Sequence, residues 1–167
     1  DRIHTISSLA RFTYVRENEP LGPGHAINQA RHLIGHDEPV AVLYEDDVVD
    51  AAVPCLKQLM MVFEKYQKPI LALDRVPKRM VSRYGIVGVK KIAARTYRVE
   101  SMVEKPKIED APSRMVSRGK YIYTPELLDI LAQLRPSSGR ELYQTQAFQE
   151  YMRQGGEMIG YEYEGIL

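Results

Sequence analysis

The sequence predicts an α/β fold with a largely parallel sheet, from three observations. Strand-like and helix-like segments alternate along the chain, as they do where helices connect strands of one sheet. Two strand-like segments, "PVAVLY" (39–44) and "PILALDRV" (69–76), are apolar runs rather than alternating ones, which suits strands buried on both faces. The stretches between them carry apolar residues at helical spacing, with start and stop signals at their ends.

The elements follow in chain order. "RFTYVR" (11–16) alternates aromatic and β-branched residues and predicts a strand. "RENEPLGPGHAINQAR" (16–31) then breaks sharply, with two prolines and two glycines between Pro20 and Gly24. In "HAINQARHLIG" (25–35), Ala26, Ile27, Ala30, Leu33 and Ile34 recur at helical spacing, and Gly35 is a plausible stop. The apolar run 39–44 predicts a strand leading into "EDDVVD". Residues 53–66 predict a helix, with Pro54 tolerated near its start. The run 69–76 predicts a second buried strand. "RYGIVGVKK" and "TYRVESMVEK" predict two strands around a turn. In "TPELLDILAQL" (124–134), Thr124 fits an N-cap and Pro125 the first helical position. Residues 140–156 predict a helix ending at a glycine pair, and "EMIGYEYEG" (157–165) a closing strand.

A chain of 167 residues suits one domain, taken as 1–167, with a core of its own. A net charge of +1 gives no global field that would draw nucleic acid or a membrane surface. Cys55 is the single cysteine, so neither an internal disulfide nor a cysteine-rich metal cage can form, which suits a reducing cytoplasm. No apolar run approaches the ~20 residues of a membrane span. The start, "DRIHTISSLARF", lacks the apolar core of a signal peptide.

In open α/β sheets ligands bind beyond the carboxyl ends of the strands, so the residues just after each apolar run are the ones to weigh. Gly22 and Gly24 would let a base, sugar or phosphate approach the backbone, next to the free N–H groups of a helix start. A tight turn that only redirects the chain accounts for the same spacing. Glu45, Asp46, Asp47 and Asp50 crowd carboxylates at a strand end, where a cation or a cap must offset their repulsion. Hard oxygen ligands suit Mg²⁺, which takes one or two carboxylates plus substrate phosphates; a solvated helix-capping cluster is the competing account. Gly85, in "SRYG", leaves room for a sugar or simply begins a strand. In "VEKP" (103–106), Pro106 interrupts strand regularity, so Glu104 and Lys105 can face one cleft. Glu104 would then accept from sugar hydroxyls and Lys105 would meet a phosphate. The competing account is an exposed ion pair of little worth. His32 and His36 stand one helical turn apart, a spacing open to zinc but more ordinary on a helix surface.

Taken in order, "FTYVRENEPLGPGHAI", "PVAVLYEDDVVD", "VSRYGIV", "VEKPKIEDAPS", "GKYIYTPELLDIL" and "YEYEG" resemble the bacterial UTP–glucose-1-phosphate uridylyltransferases over nearly the whole chain. The resemblance implies a Rossmann-like, GT-A-like nucleotidyltransferase fold with a mixed, mainly parallel sheet. It implies the synthesis of UDP-glucose and pyrophosphate from UTP and glucose 1-phosphate with Mg²⁺, in a cytoplasmic homo-oligomer. Carried over by position, Glu17 and Gly22 would hold the nucleotide. Asp46 would hold Mg²⁺ and Lys105 a phosphate as the catalytic pair, and Gly85 and Glu104 would bind the sugar.

The same resemblance places the family's glycine-rich phosphate-binding signature before residue 1, and further helices after "YEYEGIL". This implies an internal piece of a longer enzyme or a truncation, of marginal stability and without turnover by itself. Glu17 stands where a base-reading glutamine is expected; an ionised carboxylate only accepts hydrogen bonds. Glu45 replaces a glycine, and Gln146 an aspartate. These departures keep two alternatives open: a sibling enzyme with another base or sugar phosphate, and a non-catalytic nucleotide-sugar-binding or assembly module.

Overall fold

The computed structural model describes residues 8–136 and 141–167. Within them one six-stranded sheet is built from β1 (Val40–Leu43), β2 (Ile70–Arg75), β3 (Gly85–Ala93), β4 (Thr96–Glu104), β5 (Met115–Tyr123) and β6 (Ile159–Glu162). The helices are α1 (Pro23–Gln29), α2 (Cys55–Tyr66), α3 (Pro125–Gln133) and α4 (Gln144–Arg153), with 3₁₀ turns at Arg31–Leu33 and Lys78–Arg83. The strand order is β1-β5-β2-β6-β4-β3, and a further β3–β5 bridge joins Ile86 to Val116.

The chemistry of the apolar residues places the layers. Tyr121 and Tyr123 of β5 face one way, into a core with Leu71 and Leu73 of β2, Leu127, Leu128 and Leu131 of α3, and Phe148 of α4. Ile122 faces the other way, into a smaller core with Ile70, Ala72, and Cys55 and Leu59 of α2. Helices therefore cover both faces of the sheet, as alternating elements dictate. Several helix ends follow their predicted signals. Pro125 opens α3, with Thr124 at the N-cap position but making no side-chain cap. The turn after α4 runs through Gly155 at φ +88°. Gln67 closes α2 in the left-handed region, its N–H donating to the Phe63 carbonyl at 2.8 Å.

Several expectations need correction. The strands β1, β2, β3 and β6 do share a direction, but the sheet is not mainly parallel: among the described residues only β2–β6 is a parallel ladder. The α2 crossover makes β1 and β2 parallel, as helical connections do, yet β5 inserts antiparallel between them. No strand is predicted over 115–123, where β5 forms. Residues 11–16 form no strand: they join no ladder, and Phe12 and Tyr14 are 62% and 91% exposed. Among the described residues no neighbouring strand pairs with them, so their alternation finds no ladder. The helix expected at 25–35 ends at Gln29, and its continuation is the 3₁₀ turn at Arg31–Leu33. His32 and His36 therefore share no helix, and the His32 Nδ1–H donates to the Gln29 carbonyl at 2.9 Å. The helix expected from 140 begins at Gln144; residue 140 lies outside the described residues. The closing strand is shorter than predicted.

Candidate functional site

A cleft opens where β1 ends. Its two lobes, about 190 and 440 Å³ in volume, share Pro23 and Tyr44, and the larger falls in the size range of small-molecule sites. One lobe lies over β5 between the β3–β4 end and the start of α4; the other lies between α1, β1 and the acidic loop.

The acidic loop is pinned through Gly119. The Tyr44 N–H donates to the Gly119 carbonyl at 2.7 Å, and the Gly119 N–H donates to Asp47 Oδ2 at 2.5 Å. A Cβ on residue 119 would stand 2.6 Å from that of Tyr44, so only glycine permits this approach. Asp47 is thus committed to the fold. Asp46 and Glu45 are exposed and have no hydrogen bond or ion pair among the described residues, leaving Asp46 free to meet a ligand or cation at the cleft. The crowded carboxylates of the sequence divide by role: one is a backbone cap, and its neighbour is available.

The opposite wall is set by strand register. Gly85, first in β3, lies across from Glu104, last in β4. Lys105 then turns into the left-handed region at φ +44°, its N–H donating to the Tyr84 carbonyl at 3.1 Å. This turn, rather than Pro106 alone, ends the alternation and brings Lys105 beside Glu104. The Lys105 Nζ sits 5.5 Å from the centre of the Tyr143 ring at the mouth of the cleft. Burial raises the Glu104 carboxyl above its ordinary value, against the opposing pull of the Lys105 charge and a long bond, 3.4 Å, from Thr145 Oγ1.

The expected residues Glu17 and Gly22 line neither lobe; Pro23, directly after Gly22, lines both. Glu17 is half-buried and accepts from His25 Nδ1 at 2.5 Å, while His25 Nε2 accepts from the Gln29 amide at 3.0 Å. Its carboxylate is therefore held at the base of α1. Gly22 has φ +102°, and a Cβ there would meet the Leu142 carbonyl oxygen at 2.8 Å. The Gly/Pro break thus docks on residues 141–142, with Gly24 N–H donating to the Leu142 carbonyl at 2.8 Å. Gln146 accepts from the Tyr143 N–H at 2.9 Å and caps α4. Tyr44, Tyr121, Gln144 and Thr145 are among the cleft residues that no sequence motif singles out. Tyr44 sat in plain view at the end of the first apolar run. Tyr121, Gln144 and Thr145 are brought in by the packing of β5 and α4. The buried thiol of Cys55, pushed up to about 11 by burial, takes no part.

Comparison with known proteins agrees with this architecture. The nucleotidyl transferase family model matches residues 1–166. The UTP–glucose-1-phosphate uridylyltransferases of Staphylococcus haemolyticus and Bacillus subtilis are each 38% identical over 165 residues, 99% of this chain. The match spans 57% and 56% of those relatives, so the chain covers little more than half their length. A UDP-glucose pyrophosphorylase solved with UDP-glucose superposes with a TM-score of 0.90 at 35% identity, over 98% of this chain and 62% of that one. A UTP-bound relative from Acinetobacter baumannii superposes at 0.78 and 26% identity, over 91% of this chain and 52% of that one. With mixed sheet, helical layers and family match in agreement, the chain belongs to the nucleotidyl transferase family and has its fold.

Proposed function

We propose that this chain carries the sugar-nucleotide cleft of a UTP–glucose-1-phosphate uridylyltransferase. One observation carries the reading: Gly85 and Glu104 line one lobe of a cleft, Lys105 stands by the Tyr143 ring that also lines it, and the uncommitted Asp46 lines the other lobe. Convergence of an acceptor, a cation and a free carboxylate suits a ligand with hydroxyls at one end and phosphates at the other. Glu104 would accept from glucose hydroxyls beside Gly85, and Lys105 would offset phosphate charge. Gly22 and Glu17 would border the nucleotide. The reaction is attack by a phosphate oxygen of glucose 1-phosphate on the α-phosphorus of UTP, with pyrophosphate leaving. Catalysis then rests on positioning and charge neutralisation rather than on a covalent enzyme intermediate.

The fit to Mg²⁺ rests on the donor set. Among the described residues no group of three or more His, Cys, Asp or Glu side chains gathers to hold a metal. A single free carboxylate is nonetheless what Mg²⁺ needs when substrate phosphates supply other ligands, and Asp46 offers it. Bound there, the ion would offset charge on the phosphates. We extend the reading to one cytoplasmic domain that assembles with further copies of itself. Its support is the shared sheet of the described residues and the likeness to the uridylyltransferases.

Calorimetric titration of UDP-glucose into the chain, with and without Mg²⁺, tests this directly. Binding strengthened by Mg²⁺ and lost in Glu104→Ala supports the reading; no binding under either condition overturns it. A second reading, a sibling enzyme for another base, draws on Glu17, whose carboxylate cannot donate to a uracil carbonyl. A panel of nucleoside triphosphates with the longer protein decides it: turnover with UTP alone ends that alternative.

A further inference from the structure

The two sides of the cleft are joined by one side-chain bond between uncharged groups. The Tyr44 hydroxyl donates to Gln144 Oε1 at 2.5 Å. Gln144 Nε2 donates to Tyr121 Oη at 3.1 Å, and Ser117 Oγ donates to the same oxygen at 3.2 Å. Tyr44 stands directly before the acidic loop and is pinned by Gly119. Gln144 stands between Tyr143, whose ring lies near the Lys105 amine, and Thr145, which reaches Glu104. We propose that the Tyr44–Gln144 pair is a positioning link that sets the acidic loop against the start of α4, and so fixes the separation of Asp46 from Glu104 and Lys105.

The physical argument is one of direction. Gln144 and Tyr121 are 8% and 3% exposed, so water cannot readily replace a lost partner. Both ends of the Gln144 amide are engaged, its Oε1 by the Tyr44 hydroxyl and its Nε2 on Tyr121 Oη, so moving the side chain breaks contacts to both walls. The Tyr44 and Tyr121 rings add an edge-on contact at 6.0 Å, which limits how the hydroxyl can be aimed. Burial keeps the Tyr44 hydroxyl protonated far above neutral pH, so it remains a donor. An apolar pair in these positions would fill the space but allow the walls to slide; a hydrogen bond at fixed length does not. The consequence for ligand binding rests on the sugar-nucleotide reading above, whereas the link itself does not.

Hydrogen exchange read by mass spectrometry on the 167-residue chain tests the link without any ligand. Tyr44→Phe keeps the ring, and Gln144→Leu keeps most of the volume. Tyr44→Phe is expected to speed exchange about five-fold, the worth of one ordinary net hydrogen bond, and Gln144→Leu by at least as much, at residues 45–50 and also at 144–150 across the cleft. The β3–β4 hairpin should not change, and the double variant should not exceed Gln144→Leu, which already removes the Tyr44 bond together with the one to Tyr121. Faster exchange only on the mutated side, or a uniform rise that follows the thermal midpoint, overturns the link. In the second arm, UDP-glucose affinity with Mg²⁺ should fall about five-fold in Tyr44→Phe. Binding that is unchanged by Tyr44→Phe overturns the positioning role while the sugar-nucleotide reading stands. A wild-type chain that fails to bind UDP-glucose overturns that reading instead, and the exchange arm alone decides the link.

Discussion

The strands β1 and β2 begin as near twins in sequence, "PVAVLY" against "PILALD", and live in different surroundings. β2 lies between β5 and β6, and its first four residues are buried. β1 is bonded only to β5 among the described residues, and its residues alternate between half-buried and exposed. The carboxylates that follow them differ in the same sense. Asp74 of β2 accepts two hydrogen bonds from Arg118, at 2.7 and 3.2 Å, whereas Asp46 beyond β1 is uncommitted. The lesson is that a continuous apolar run reports fitness for burial, not the number of neighbours that will supply it. The fold spends its fully enclosed strand on stability and its half-covered strand on presenting the cleft.

The largest effect that would break this comparison is in the cores. Leu73 is fully buried and Leu43 is 49% exposed. Leu73→Ala should cost about 2–5 kcal/mol, while Leu43→Ala should stay within about 1 kcal/mol, both by chemical denaturation. Equal costs would mean that β1 is as enclosed as β2. Next come the strand-end acids. Asp74→Asn leaves a nearly buried Arg118 guanidinium without its charged partner and should cost about 1.5–3 kcal/mol. Asp46→Asn should leave the denaturation midpoint unchanged and remove the strengthening of UDP-glucose binding by Mg²⁺. A stability loss at Asp46 would make it a second cap like Asp47.

The smallest effect is a pH dependence. Burial raises the Glu104 carboxyl in the folded chain, so the native state holds that proton more tightly than the unfolded state. Its contribution to stability is fully present below the ordinary carboxylate value and is lost as pH rises through the raised one. Subtracting the Glu104→Gln denaturation curve from the wild-type curve should therefore show wild-type stability falling with rising pH across that window. Above it, the glutamine variant should be the more stable protein while binding UDP-glucose more weakly. A difference that rises with pH would mean that Lys105 and Thr145 outweigh burial.

Much of the cleft was legible in sequence because its parts are local. The sequence pointed to Gly85, Glu104 and Lys105 as strand-end residues, and the register sets the first two across from each other. The acidic cluster was legible as a cluster, but not the division of labour within it. Asp47 caps a backbone amide 72 positions away, and no local pattern reveals such a partner. Gln146 reads in sequence as a lost acid; in the fold it is a cap.

What the sequence determined alone was the class: apolar runs, helical periods and the punctuation of Gly and Pro place α2, β2, α3 and the β3–β4 hairpin where the chain forms them. Those signals act within one or two turns of backbone, where propensity, capping and side-chain period decide the outcome. Only the tertiary structure decided the direction of β5, the exposure of β1, the idleness of residues 11–16 as a strand and the meeting of Tyr44 with Gln144. Each of these depends on which surface is left for an element to cover once the others have packed, and distant partners settle that jointly.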